Sequence, residues 1–232
     1  EVHDGAAIEQ RMANLGWDMN NNLYIMLLTD SARNFFDGKA QIITRQLHDI
    51  MPNSRWVIYH GHIVFLIRAE NISLFSENGM LIHYLSINKL QAAISNRFDN
   101  IIDMKQYYKQ ALKAFEFGRK LSPEKQIYFY SDYIFYHMGE IAAEQLDIHS
   151  FYHPGVIAVS EYDKTHGTNF LETLRLYLTY IDNPGKIAEE LYIHKNTVFY
   201  RINKLKEKFK LQLDNGDECF KMHMTIKLME LD

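Results

Sequence analysis

The chain has 232 residues, 47% hydrophobic and 13% aromatic, enough apolar material for one large or two modest cores. Its net charge of −4 excludes nothing, because attraction to a polyanion acts through local patches and not through the sum. The single cysteine, Cys219, excludes an intrachain disulfide, and with no apolar run of membrane-span length the expectation is a cytoplasmic protein.

The start, Glu1-Val2-His3-Asp4, carries neither a signal-peptide core nor an initiating Met, which reads as a piece of a longer chain. Residues 1–20 read as a connector from an upstream region, with a short helix over Ile8–Leu15 stopped at Gly16. Leu23-Tyr24-Ile25-Met26-Leu27-Leu28-Thr29 is a continuous apolar run of strand length, the pattern of a strand covered on both faces. Phe36, Ala40, Ile43, Leu47 and Ile50 then recur at helical spacing until Pro52. Arg55–Tyr59 and Ile63–Ile67 flank His60-Gly61-His62 as a tight hairpin.

A helix over Met80–Ile87 and a strand over Leu90–Ser95 follow. Asp103 is placed to cap a helix bearing Tyr108, Ala111, Leu112, Phe115 and Arg119. Gln126–Tyr130 reads as a further strand and 133–147 as a helix. This order predicts an α+β domain over 21–150, with helices on a mainly antiparallel sheet. His153-Pro154-Gly155 marks the expected boundary, and 151–232 reads as helices only.

In the second domain, Asn169 with Glu172 looks like a capping box opening a helix with Leu171, Leu174, Leu178 and Ile181 on one face. Asn183 and Pro184 open a short helix ending near Leu191. A longer one begins at Lys195 or Asn196, with Val198, Ile202 and Leu205 as its buried stripe and Ile187, Ala188, Leu191 and Ile193 facing it. Asp214-Asn215-Gly216 turns into a closing helix with Phe220, Met224, Leu228 and Leu231.

A short helix, a turn and a longer helix with a polar face is a helix-turn-helix pattern, whose second helix enters the DNA major groove. The bland alternative is a helical hairpin with a solvated charged face. Against it, His194–Lys210 holds Lys195, Arg201, Lys204, Lys206, Lys208 and Lys210 and the single acid Glu207. Lys195, Asn196, Thr197, Tyr200, Arg201 and Lys204 are the candidate DNA contacts. Asn and Arg suit two-pronged bonds to adenine and guanine, and the lysines suit phosphates. One such reader covers one half-site, so a homodimer is expected.

Several segments resemble the PucR and CdaR type of bacterial transcriptional regulators: His153-Pro154, Glu161-Tyr162-Asp163, Leu171–Leu178, Leu15-Gly16-Trp17-Asp18 and, most specifically, Leu191–Ile202. The resemblance implies a central domain similar to a degenerate diguanylate cyclase, with a ferredoxin-like palm, followed by an all-α Fis-type helix-turn-helix domain. It further implies a response to a small effector. In that cyclase fold the catalytic Gly-Gly-Asp-Glu-Phe sequence occupies the hairpin, where this chain has Tyr59-His60-Gly61-His62-Ile63, with no acid to hold a metal or activate a hydroxyl. Asp30 alone makes a poor Mg²⁺ site. No catalytic residue, metal or cofactor is therefore expected. The turn between the helices carries Tyr192 where Gly is common, so the turn is expected to be reshaped, with Tyr192 packed against neighbours.

The remaining chemistry is weak. His60 and His62 alternate on a hairpin, and His149 and His153 lack a third ligand at useful spacing. No phosphate loop, nucleophile elbow or zinc-protease motif occurs, and Cys219 reads as a packing residue. Asn71-Ile72-Ser73 matches a glycosylation sequon, a pattern common by chance. The competing functional reading is a nucleotide- or small-molecule-binding signalling domain in 21–150 that does not read DNA directly.

Overall fold

The structure, a computed structural model, describes residues 22–30, 37–52, 54–68, 75 and 79–231. The expected connector over 1–20, the helix residue Phe36 and the sequon at Asn71 lie outside them. The chain divides into two compact units, Glu1–Ile134 and Phe135–Asp232.

The first unit is built on β1 (Leu23–Asp30), α1 (Asp37–Ile50), β2 (Arg55–Tyr59), β3 (His62–Arg68), α2 (Met80–Ile87), β4 (Leu90–Ile94), α3 (Met104–Leu121) and β5 (Ile127–Phe129). The sheet order is β2-β3-β1-β4-β5. β1 is antiparallel to both β3 and β4, and β3 to β2, with Met26 opposite Phe65 on one side and Ile94 on the other. β3 thus lies between β1 and β2, the split arrangement expected of a ferredoxin-like palm. β5 adds a strand parallel to β4 after the α3 crossover.

The continuous apolar run of β1 has its cause here. Alternate residues Met26 and Leu28 join Ile43 and Leu47 of α1 and Leu81 and Leu85 of α2 in one core, while Ile25 and Leu27, also fully buried, face the other way. α3 brings Ala111, Ala114, Phe115 and Phe117 to its own buried side. At Gly118 a Cβ would stand 2.2 Å from the Tyr128 ring, so only glycine lets α3 and β5 approach this closely.

Two local expectations change. The hairpin loop is His60-Gly61 alone, both at positive φ (47° and 76°), with His62 already paired to Tyr59 in β3; two such residues match the twist of the flanking strands. Asp103 makes no side-chain cap at α3; Asn100 instead accepts from the Ile102 N–H at 3.0 Å and starts a 3-10 turn that leads in.

The division between units falls inside α4 (Tyr130–Ala143), upstream of the turn at His153 read as the boundary. The reason is packing within the second unit. The Tyr136 hydroxyl donates to the Glu230 carboxylate, the Lys227 ammonium lies 4.7 Å from the Tyr136 ring, and Gly139 lets Leu228 approach. The rest of the second unit is α5 (Pro154–His166), α6 (Phe170–Thr179), α7 (Pro184–Glu190), α8 (Lys195–Lys208) and α9 (Gly216–Met229).

Val156 and Val159 of α5, Leu174 and Leu178 of α6, Leu205 of α8, and Met222 and Ile226 of α9 share one core with Leu211 and Leu213. The capping box at Asn169 does not form. Asp163 of α5 accepts from the Phe170 and Leu171 N–H groups at 2.9 and 2.7 Å, while Glu172 is taken by Arg175 at 2.6 Å. A carboxylate at a helix start satisfies orphan donors and meets the positive end of the helix dipole, whichever element supplies it. Among the described residues no helix is long and apolar enough to cross a membrane.

Candidate nucleic-acid interface

α7 opens as its sequence predicts: the Asn183 side chain accepts from the Lys186 N–H at 3.1 Å and Pro184 occupies the first helical turn. It closes in a way that overturns one expectation. Tyr192 keeps the left-handed conformation (φ 54°) that glycine usually supplies; its N–H donates to the Glu189 carbonyl at 3.2 Å, and the Ile193 N–H reaches the Ala188 carbonyl at 3.0 Å. These two bonds are the Schellman closure of a helix. The turn is therefore not reshaped, and the Tyr192 ring is 96% exposed instead of packed. The two bonds and the burial of Ile193 beside Ala188 offset the roughly 1–2 kcal/mol that a left-handed L-residue costs.

His194 starts α8 by accepting from the Asn196 N–H through Nδ1 at 3.2 Å. Sequence reasoning missed this cap, since histidine is not a usual capping residue. Its signal lay in the position just before Lys195. The apolar side of α8 then locks the helix down. Val198 is fully buried with Leu176, Ile187 and Ala188, and Leu205 is fully buried in the main core of the unit. Burial of each such side chain contributes about 1.5–3 kcal/mol. Ala188 supplies the small contact that lets α7 and α8 cross closely.

The other side of α8 is open. Lys195, Asn196, Thr197 and Tyr200 are exposed and Lys204 is half-buried. The Lys204 ammonium lies 5.7 Å from the Tyr200 ring and that of Lys195 lies 5.8 Å from the Phe199 ring, within cation–π range. Among the described residues neither lysine is held in an ion pair, so both charges stay uncommitted to acids. Phe199 and Asn203 are also exposed on this side, and neither was singled out from the sequence.

Arg201 departs from the expected outward set. Its guanidinium turns back onto α6 and donates to the Asn169 carbonyl at 3.3 Å and to the Thr173 hydroxyl at 3.0 Å. The reason is angular: at 100° per residue, position 201 stands beside the buried stripe of Val198 and Leu205 and not opposite it. Farther along, the Lys208 ammonium sits 3.4 Å from the Tyr162 ring of α5. Arg201 and Lys208 thus tie α8 to the helices behind it, while the other five candidate residues form one outward surface.

The hairpin of the first unit offers no comparable surface. Its tip carries no carboxylate, and the Asp30 carboxylate at the end of β1 lies 3.4 Å from the Lys39 ammonium. Among the described residues no group of three His, Cys, Asp or Glu is arranged to hold a metal. The residues present therefore do not fit the Mg²⁺ site of a cyclase, which needs several convergent oxygens.

Residues 1–117 match the GGDEF-like domain, and residues 170–228 match the PucR C-terminal helix-turn-helix domain. The chain belongs to the PucR family. Among curated relatives of this PucR-type chain, the DNA-binding transcriptional activator AdeR of Bacillus subtilis (strain 168) is 23% identical over 147 residues, 63% of this chain and 35% of AdeR. The proline-responsive transcriptional activator PutR of the same organism is 22% identical over 138 residues, 59% of this chain and 34% of PutR. The chain spans about a third of the length of these relatives. A crystal structure of a regulator of polyketide synthase expression from Bifidobacterium adolescentis aligns over 95% of this chain and 85% of its own, at 15% identity and a TM-score of 0.39.

Proposed function

We propose that this PucR-type chain reads duplex DNA with the N-terminal half of α8 and regulates transcription in response to a small effector molecule. One observation carries the reading: α8 buries Val198 and Leu205 completely while leaving Lys195, Asn196, Thr197 and Tyr200 in solvent on its opposite side. A rigid helix with a polar, basic outward face is the geometry of a major-groove reader.

Asn196 takes the base-reading role, with the amide geometry that matches adenine, and Thr197 and Tyr200 make flanking contacts. Lys195 and Lys204 neutralise phosphates. Arg201 acts as a positioning residue, holding α8 against α6 at the angle the other side chains require. The first unit serves as a non-catalytic scaffold, because an acid-free hairpin tip cannot bind the metal that nucleotide cyclisation uses. The likeness to the proline-responsive activator supports a small-molecule effector, and a cytoplasmic setting follows from DNA as the partner.

The functional species is a homodimer, since a single reader covers one half-site. The edge strand β2 supports this reading: Trp56, Val57, Ile58 and Tyr59 are all exposed on a strand paired on one side only, and natural edges of this kind are seldom left unprotected. Selection of bound fragments from a genomic DNA pool by the purified chain tests the assignment. Enrichment of sequences with two related half-sites, at an affinity that falls steeply with salt, is the expected result. A chain that retains no duplex at low salt would refute it.

A further inference from the structure

The outward face of α8 contains one side chain that the DNA-reading proposal does not yet use. Phe199 is 47% exposed, in the helix turn directly after Lys195. The buried stripe is already filled by Val198, Ile202 and Leu205, so core packing does not require an aromatic ring here. Its neighbours on the outward side, Asn196, Tyr200 and Asn203, are polar and exposed. An apolar ring in that company faces water in the free protein, and it gains only when a partner covers it.

We infer that Phe199 is a specificity-determining residue that packs against the C5-methyl group of a thymine in the bound duplex. This rests on the DNA-reading assignment above and adds a base preference to it. Of the four base edges in the major groove, only thymine presents an apolar group. Phe199 lies within the first five residues of α8, the part of a recognition helix that meets base edges. The Lys195 ammonium, 5.8 Å from the ring, lies where a phosphate contact would hold the ring over the base. Asn196, on the adjoining position, would read a neighbouring adenine, so the favoured core contains A·T pairs in both orientations.

The test uses the 232-residue chain and the strongest duplex it selects from a random-sequence pool. That duplex is remade with deoxyuridine at each thymidine in turn, which deletes the methyl group and leaves base pairing intact. At one thymine per half-site, binding should weaken about four-fold, the worth of one buried methyl group. Phe199→Ala should bind the thymine and uracil duplexes equally, with its helical circular-dichroism signal unchanged, and Phe199→Leu should restore part of the preference. A wild-type chain indifferent to uracil at every position, or a Phe199→Ala chain that keeps the full thymine preference, overturns the inference alone. A pool with no enrichment overturns the DNA-reading assignment and this inference together.

Discussion

Two turns in this molecule hold left-handed residues, and they have kept different things. The hairpin turn His60-Gly61 of the first unit retains the backbone shape of its fold without the acids that would make it a catalytic loop. The turn at Tyr192 in the second unit retains the backbone shape without the usual glycine, and the helix it introduces retains the polar surface as well. Shape persists where strand twist or helix closure demands it. Chemistry persists only where a partner is there to be met, so the second unit is the place to seek function and the first is the place to seek support.

The largest expected effects test whether the two units depend on separate cores. Leu205→Ala removes a fully buried side chain from the second core and should destabilise that unit by about 2–5 kcal/mol. Gly118→Ala forces a methyl group into the Tyr128 ring and should cost the first unit about 1–3 kcal/mol. Two-transition denaturation, followed by tyrosine fluorescence and helical circular dichroism, should show each substitution moving one transition more than the other. Equal shifts of both would mean that the comparison draws its line in the wrong place.

Next in size is Arg201→Ala, which deletes the bonds to Asn169 and Thr173 and should cost about 1–3 kcal/mol of stability in the second unit. DNA affinity should then fall alike for every sequence, as befits a residue that sets the angle of α8. Loss of discrimination at a single base pair would return Arg201 to the reading face. Smaller again is Tyr192→Gly, which relieves the left-handed strain and should raise stability by roughly 0.5–1 kcal/mol, measured by urea midpoint. A drop in stability would show that the exposed ring contributes to the fold.

A pH dependence belongs to the first unit. Burial, first, and the neighbouring Tyr133, second, push the Tyr128 phenol up to about 12 from an ordinary 10.0. Because the folded state holds this proton more tightly, its contribution is fully present below pH 10 and is lost as pH rises toward 12. Urea unfolding at pH 9.5 and at about 11.5 should therefore show a decline that Tyr128→Phe partly removes.

How much of this was legible in the sequence follows from distance along the chain. The β1 run, the stripe of α8 and the Asn183 cap depend on residues within one or two turns of each other, and periodicity reports them. The cap of α6 came from Asp163 in the preceding helix, and the partners of Arg201 lie about thirty residues upstream. No local pattern encodes such contacts. Tyr192 misled for a different reason: a bulky residue argues against positive φ, yet the two bonds that close α7 decide the backbone. Phe199 and Asn203 passed unnoticed because exposure on the outward side is a property of the whole packed helix.

The most direct measurement is the salt dependence of duplex binding by the wild-type chain and by the Lys195→Ala, Lys204→Ala double variant. Two lost phosphate contacts should lower the slope of log affinity against log salt by about 1.8, with both transitions of the unfolding curve unchanged. An unaltered slope, with binding otherwise intact, would contradict the claim that the outward face of α8 meets DNA.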